Sequence, residues 1–549
     1  NCSMVFRRGI VGQTGTQRKS EDGPEVGYAP QRGGDGRSSL IALDADACYT
    51  ACVMRRGGVN KLLLLLPVIV VLLLPAGCSG SDLGPRTPAE FRARLDERVP
   101  GLMDRYDIPG VAIAIVEDGE LAWAGAWGFA DISEERPMTT RSVCRAESIS
   151  KSVTAWGVMR LVEEGRIDLD APVKRYLDSI EIPAGQFPAE AVTIRRLLSN
   201  SAGLPLGTVG PQVEYAPGAE MPPKRDYLAE EVRLVQEPGA GFLYSNVGFN
   251  LLEVAVENVT GRSFADSMDD GVLRPLGMQG ASYAWEPRMA ALMPTGYELD
   301  GTPVPPYVYP VAGSGGLFAD VEDLAAFVAA SAAAVRPRDR GGVLSTGSIE
   351  RLHAPVVEVP GLFGFAADSY ALGHFTETLP DGRQAVWHGG QGHGWMTHFH
   401  AIPESGDGIV ILTNSQRSWP FMSYVLTDWA EWSGAGRVKF SMIVWASRVL
   451  RAALVLIVLG ALGRSYRLGR EMIRKERRVS PLSRAARASR VIQAGAGTVI
   501  IASLVWALSQ PYIFISWVFP ATAGPAGWAL LLAAIVLLGG SILPRRVTG

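Results

Sequence analysis

Hydropathy divides this chain before any motif does. Three apolar stretches close it, at residues 440–462, 492–518 and 527–543, and each is long enough to cross the apolar interior of a bilayer as a helix, the last only just. In that solvent every backbone N–H and C=O must be satisfied within its own segment, so this part of the chain is expected to be helical. Charge repeats the division. The 549 residues carry a net charge of −3, yet residues 464–490 hold nine arginines and Lys475 against Glu471 and Glu476, a sum of +8 that leaves −11 for the rest. A basic stretch between two apolar spans reads as a cytoplasmic loop, and no nucleic-acid partner is expected. The uncharged residues 520–527 predict a turn between the second and third spans. Arg448 and Arg451 interrupt the first span, which places its outer part at the interface, where those side chains snorkel.

The other end of the chain agrees with that topology. From Met54 the sequence runs through Arg55, Arg56 and Lys61 into an apolar core at 62–74, then Pro75-Ala76-Gly77-Cys78. A basic start, a core too short to span and small residues before a cut describe an export signal over residues 54–78. Cys78 stands where a bacterial lipoprotein is lipidated, with Pro75 where an aliphatic residue is usual. Residues 1–53 are rich in Gly, Arg and Ser without periodicity, and are expected to be disordered or to precede the true start. The segment between signal and first span is thus expected outside the bacterial cytoplasmic membrane, with the 463–491 loop and the C-terminus inside. Helical spans fit that membrane, since outer membranes carry barrels. Within the folded part Cys144 stands alone, so no disulfide or zinc site is expected and the thiol is read as a small buried hydrophobe.

Residues 88–434 alternate strand-like runs, helix-like runs and Gly/Pro-rich loops, the pattern of an α+β domain. The run 111–116 is followed by Asp118-Gly119, a hairpin signal, and by a second strand at 121–125. Residues 408–412 form another buried strand, so the sheet draws on both ends of the domain.

Three short motifs carry chemistry. Ser148-Ile149-Ser150-Lys151 opens an apolar run through Val153, Trp156, Met159 and Val162 that stops at Gly165. Positions i and i+3 share a helix face, so the Lys151 amine lies beside the Ser148 hydroxyl, where a partly desolvated lysine can activate it as a nucleophile. Ser150 faces elsewhere. Tyr244-Ser245-Asn246 precedes a second apolar helical run; a phenol near a cationic lysine can exchange protons, and an Asn amide can hold a substrate carbonyl. His388-Gly389-Gly390-Gln391 supplies glycines that let a substrate backbone approach a strand, where a main-chain N–H can complete an oxyanion hole with that of Ser148. All six histidines lie between residues 353 and 400, but His393, His398 and His400 have no matching carboxylate set, and neither a metal nor a cofactor is expected.

In this order and spacing the motifs resemble the serine hydrolases of the class C β-lactamase, penicillin-binding and D-aminopeptidase/esterase superfamily. Residues 193–204 and 314–324 are similar to two further family segments. The resemblance implies a β-lactamase/DD-peptidase-like fold, an antiparallel sheet flanked by helices with an all-helical region. It implies that Ser148 is acylated, that Lys151 and Tyr244 share the proton work, and that Asn246, His388, Gly389, Gly390 and Gln391 bind substrate. His388 stands where many members have lysine. A neutral imidazole offers no fixed cation to a substrate carboxylate, which argues against strong β-lactamase activity. The implied substrates are small esters, amides or D-amino-acid and cell-wall peptides, with membrane lipid as the other partner. A slowly deacylating penicillin-binding or sensor module, and a DD-carboxypeptidase or β-lactamase, are the alternatives.

Overall fold

Asp118 and Gly119 both adopt positive φ, 52° and 71°, the backbone of a tight hairpin turn. They join β1 (Gly110–Glu117) to β2 (Glu120–Asp131), which pair antiparallel from Gly110 opposite Gly128. The computed structural model describes residues 87–178, 180–183, 185–332, 342–361, 363–477, 488–509 and 518–543. The export signal, Cys78 and residues 1–53 lie outside them.

The remaining sheet strands are β3 (Arg136–Pro137), β4 (Val357–Glu358), β5 (Ser369–Tyr370), β6 (Phe375–Thr378), β7 (Gln384–Gln391), β8 (Met396–Ile402) and β9 (Asp407–Thr413). Their order across the sheet is β3-β2-β1-β9-β8-β7-β6-β5-β4, with antiparallel pairing throughout. Val111 pairs with Thr413 and Val116 with Gly408, so the first and last strands of the domain meet at the centre of the sheet, as the two distant apolar runs led us to expect. Both faces are covered, which is why β1 reads as an unbroken apolar run. Ala112, Ala114 and Val116 point into one core, Val111, Ile113 and Ile115 into the other.

The second core packs against α1 (Pro88–Tyr106), which begins with a reciprocal capping box between Thr87 and Glu90. The first core holds α2 (Ser150–Glu163), α3 (Asn246–Thr260) and α4 (Val321–Ser331). Helix α5 (Trp419–Trp432) crosses the second core, and Phe91 stacks on Trp432 at 5.0 Å between ring centroids. Cys144 is buried, and its thiol is pushed far up by burial.

Three further helices are long and apolar enough to cross a membrane: α6 (Met442–Ile473), α7 (Ala488–Leu508) and α8 (Pro520–Ile542). Two boundaries differ from the sequence reading. Helix α6 does not stop near Leu462 but runs through Arg464, Arg467 and Arg470, since arginine is a good helix former and nothing there breaks the ladder. Residues 520–527, read as a turn, instead form the first turns of α8. Pro520 occupies the first helical position, where no N–H is needed, and the alanines around it favour helix. The start of α6 belongs to the globular part: Phe440 and Val444 are buried in the second core, and the Phe440 carbonyl accepts from Ser423 Oγ at 2.8 Å. At the far end Arg464 donates to Gln493 Oε1 at 2.6 Å and Arg490 to the Ser541 carbonyl at 2.6 Å, so α6 and α8 run one way and α7 the other.

Candidate active site

Ser148 sits in a 3-10 turn, Glu147–Ile149, that leads directly into α2. Lys151 Nζ lies 3.1 Å from Ser148 Oγ, and it also donates to the Ser314 carbonyl at 2.7 Å. Its ammonium is fully buried and points at two aromatic rings, 4.9 Å above Tyr244 and 5.8 Å above Phe249. Burial is the larger influence and brings Lys151 from 10.5 down to about 7, with the carboxylate of Glu147 opposing. Near neutral pH a large fraction of the lysine is therefore an amine, with a lone pair that can accept from the Ser148 hydroxyl.

Tyr244 shows the opposite behaviour. Burial pushes its phenol up, and a hydrogen bond to Ser148 opposes that only in part. Lys151 does not bring the phenol down, because the same dry surroundings that suppress the ammonium also suppress the phenolate. Tyr244 is a resting hydroxyl that can pass protons.

The segment around Tyr244 is set from residues 193–204. The Asn200 side chain accepts from Ser245 N at 3.0 Å and its carbonyl from Leu243 N at 2.7 Å, with Asn200 itself at φ 52°. Ser245 then caps α3, accepting from Gly248 N at 3.0 Å. Asn246 follows as the first residue of α3, and its N–H is bonded to the Leu206 carbonyl at 3.1 Å.

Strand β7 lies against the turn that carries Ser148. A Cβ on Gly390 would stand 2.4 Å from the Ala146 carbonyl and 2.1 Å from Thr397 Oγ1, so only glycine allows this approach. Gln391 closes the strand, with its side-chain oxygen held by Trp419 Nε1 at 3.1 Å. His388 is placed differently from its expected role. Its ring is buried, with Nδ1 2.9 Å from the Gly389 carbonyl and Nε2 3.2 Å from the Tyr370 hydroxyl. A nitrogen facing a carbonyl must be the N–H, so Nε2 accepts from Tyr370. Burial, and next the charge of Lys151, keep His388 well below its ordinary value. It is neutral, and both ring nitrogens are already used within the protein.

Other parts of the site carried no sequence signal. Glu147, immediately before Ser148, adopts φ 50°, a strained conformation for a residue with a side chain. It is held there by Arg145 Nε at 2.6 Å and by the hydroxyls of Tyr307 and Tyr309 at 3.0 and 3.1 Å. The carbonyl that holds Lys151 is fixed by buried Glu253, which accepts from the N–H groups of Ala312 and Gly313 at 2.5 and 2.6 Å and is paired with Lys224 at 2.5 Å. Residues so far apart in sequence reveal such a clamp only once folded. His393 stands between Glu214 at 2.7 Å and Glu298 at 2.9 Å, and the hydrogen bond to Glu214 is the main influence raising it to about 9. Among the described residues no group of three or more His, Cys, Asp or Glu side chains is arranged to hold a metal ion.

A serine at a helix start, a buried lysine beside it whose charge is disfavoured and a tyrosine hydroxyl bonded to the same oxygen form the arrangement a serine hydrolase requires. The family model "Beta-lactamase" matches residues 95–427, and the chain belongs to that family. It is 25% identical to Protein flp of Staphylococcus aureus (strain N315) over 60% of this chain and 64% of that one. It is 32% identical to penicillin-binding protein 4* of Bacillus subtilis (strain 168) over 34% and 40%, and 27% identical to the D-aminopeptidase of Gluconobacter oxydans (strain 621H) over 59% of each. The chain thus spans less than two thirds of the length of these relatives. Among solved structures, the octameric penicillin-binding protein homologue from Pyrococcus abyssi superposes with a TM-score of 0.55 at 25% identity, covering 66% of this chain and 81% of that one. SurE follows with a TM-score of 0.52 at 25% identity, covering 64% and 77%.

Proposed function

We propose that the chain hydrolyses small, uncharged esters or amides through an acyl-Ser148 intermediate, from a domain anchored by α6, α7 and α8 on the outer side of a bacterial cytoplasmic membrane. The observation that carries this reading is Lys151 Nζ, 3.1 Å from Ser148 Oγ and brought down to about 7. The amine takes the Ser148 proton as Oγ bonds to the substrate carbonyl carbon. The oxyanion is received by the main-chain N–H groups of Ser148 and Gln391. The proton then passes through the Tyr244 hydroxyl to the leaving alcohol or amine as the old bond breaks, and water repeats the sequence to free Ser148. Asn246 orients the acyl carbonyl, and Gly389 and Gly390 let it come close.

Charge and shape support the substrate class. His388 is neutral, the charge of Lys151 is disfavoured by burial, and the His393 cation is matched by two carboxylates. Phe363, 47% exposed, stacks on Tyr244 at 6.0 Å with rings within 12°, which gives the acyl group an apolar wall. The outward placement is supported by the basic 464–490 stretch and the signal-like residues 54–78. With the full chain in detergent, kcat/KM is expected to be at least about 100-fold higher for p-nitrophenyl butyrate than for nitrocefin or a D-Ala-D-Ala peptide, the difference of roughly 3 kcal/mol that an unmatched carboxylate imposes. Faster turnover of either carboxylate-bearing compound would overturn the substrate class.

A further inference from the structure

We propose that a cleft between the end of α1 and the start of α8 holds the phosphate of an anionic phospholipid, a reading that rests on the membrane placement above. The cleft, about 250 Å³, is lined by Arg105, Asp107 and Arg417 of the globular part and by the first turn of α8 at Pro520 and Ala521. Its depth in the bilayer follows from α6. Arg451 and Arg464 are separated by 13 positions, about 20 Å of helix, and with each side chain reaching outward they bracket the ~30 Å apolar layer. Arg451 therefore marks the outer headgroup level, and its guanidinium donates to the Tyr106 hydroxyl at 3.4 Å, beside the cleft.

Two guanidinium groups line the cleft, and that of Arg451 stands beside it on Tyr106. Arg417 is fixed by Asp107 at 2.5 Å and by the Leu299 carbonyl at 2.6 Å. Arg105 lies across the rings of Tyr106 and Tyr424 at 5.6 and 5.7 Å, contacts that orient the cation without neutralising it. The opposing carboxylates are Asp107 and the exposed Asp300, which feels the charge of Arg417. With Arg451 beside the cleft, three cations stand against these two carboxylates, and the start of α8 adds the positive end of its helix dipole. Planar guanidinium groups suit phosphate oxygens in pairs, and a headgroup at this level also sets its acyl chains against α8.

The test begins with carbonate extraction of membranes carrying the full chain. Release of the protein would remove the membrane reading itself. If it stays, native mass spectrometry is carried out on detergent-purified protein incubated with dioleoylphosphatidylglycerol or dioleoylphosphatidylcholine. One phosphatidylglycerol is expected to be retained at least about 10-fold more strongly than phosphatidylcholine, and Arg105→Gln/Arg451→Gln is expected to lose that preference while keeping full ester turnover. Equal retention of the two lipids, or an undiminished preference in the variant, would overturn the headgroup site alone. Displacement of the lipid by millimolar inorganic phosphate would also overturn it, since free phosphate would then be the ligand. Should the double variant fold poorly, Arg105→Gln alone is expected to weaken the preference at least about 3-fold, and an unchanged preference there would contradict the proposal equally.

Discussion

Lys151→Met is expected to slow acylation of Ser148 by about 10³-fold, the range over which a positioned general base acts. The wild-type rate should rise with pH through about 7 and level off above it, because the protonated form that dominates below about 7 has no lone pair for the Ser148 proton. The variant should lack that limb. Stability separates lost chemistry from a lost fold. The folded lysine is depressed from 10.5 to about 7, so between those values the unfolded chain binds a proton that the folded chain does not. That difference costs stability, and the cost shrinks as pH rises toward 10. Methionine carries no such cost, so the variant should be at least as stable as the parent at pH 7. Burst kinetics with p-nitrophenyl butyrate and denaturant unfolding read the two quantities. A fast burst in the methionine variant would remove Lys151 from the proton path.

Glu253→Ala should have the largest effect on stability. The carboxylate is buried, accepts from two N–H groups of the 312–313 turn and balances Lys224. Its removal leaves two buried donors without acceptors, at about 1–3 kcal/mol each, and takes from the Lys224 ammonium one of its two carboxylates, Glu257 at 2.7 Å being the other. The turn also carries the Ser314 carbonyl that holds Lys151, so turnover of the remaining folded protein should fall about 10-fold to 100-fold as the amine is released. Glu253→Gln, which keeps one carbonyl acceptor, should lose clearly less. Unfolding in urea checks the first effect, and a change below 1 kcal/mol for the alanine variant would show that the clamp is dispensable.

What the sequence made legible was local or strictly periodic. The shared face of Ser148 and Lys151 follows from helix geometry over three residues, and it appears as a 3.1 Å contact. The hairpin at Asp118-Gly119 and the central pairing of β1 with β9 follow from turn chemistry and apolar runs. What remained hidden depends on partners far apart in the chain. The Glu253 clamp, the Tyr307 and Tyr309 hydroxyls that hold Glu147 and the Tyr370 hydroxyl that occupies His388 each join segments no local pattern connects. The start of α8 misled for another reason. Proline followed by small residues is equally a turn and a first helical turn, and neighbouring helices decide between them.

The acyl-enzyme on Ser148 is the central claim, and rapid-quench mass spectrometry of the full chain with p-nitrophenyl butyrate tests it most directly. Acid quenching in the first turnovers should trap protein heavier by one butyryl group, mapped by proteolysis to the peptide that contains Ser148. The same quench on Ser148→Ala should trap none, whereas Ser150→Ala, which removes only an acceptor for Leu317 N at 3.0 Å, should still be acylated. Steady ester turnover with no adduct, or an adduct on a residue other than Ser148, would contradict the account.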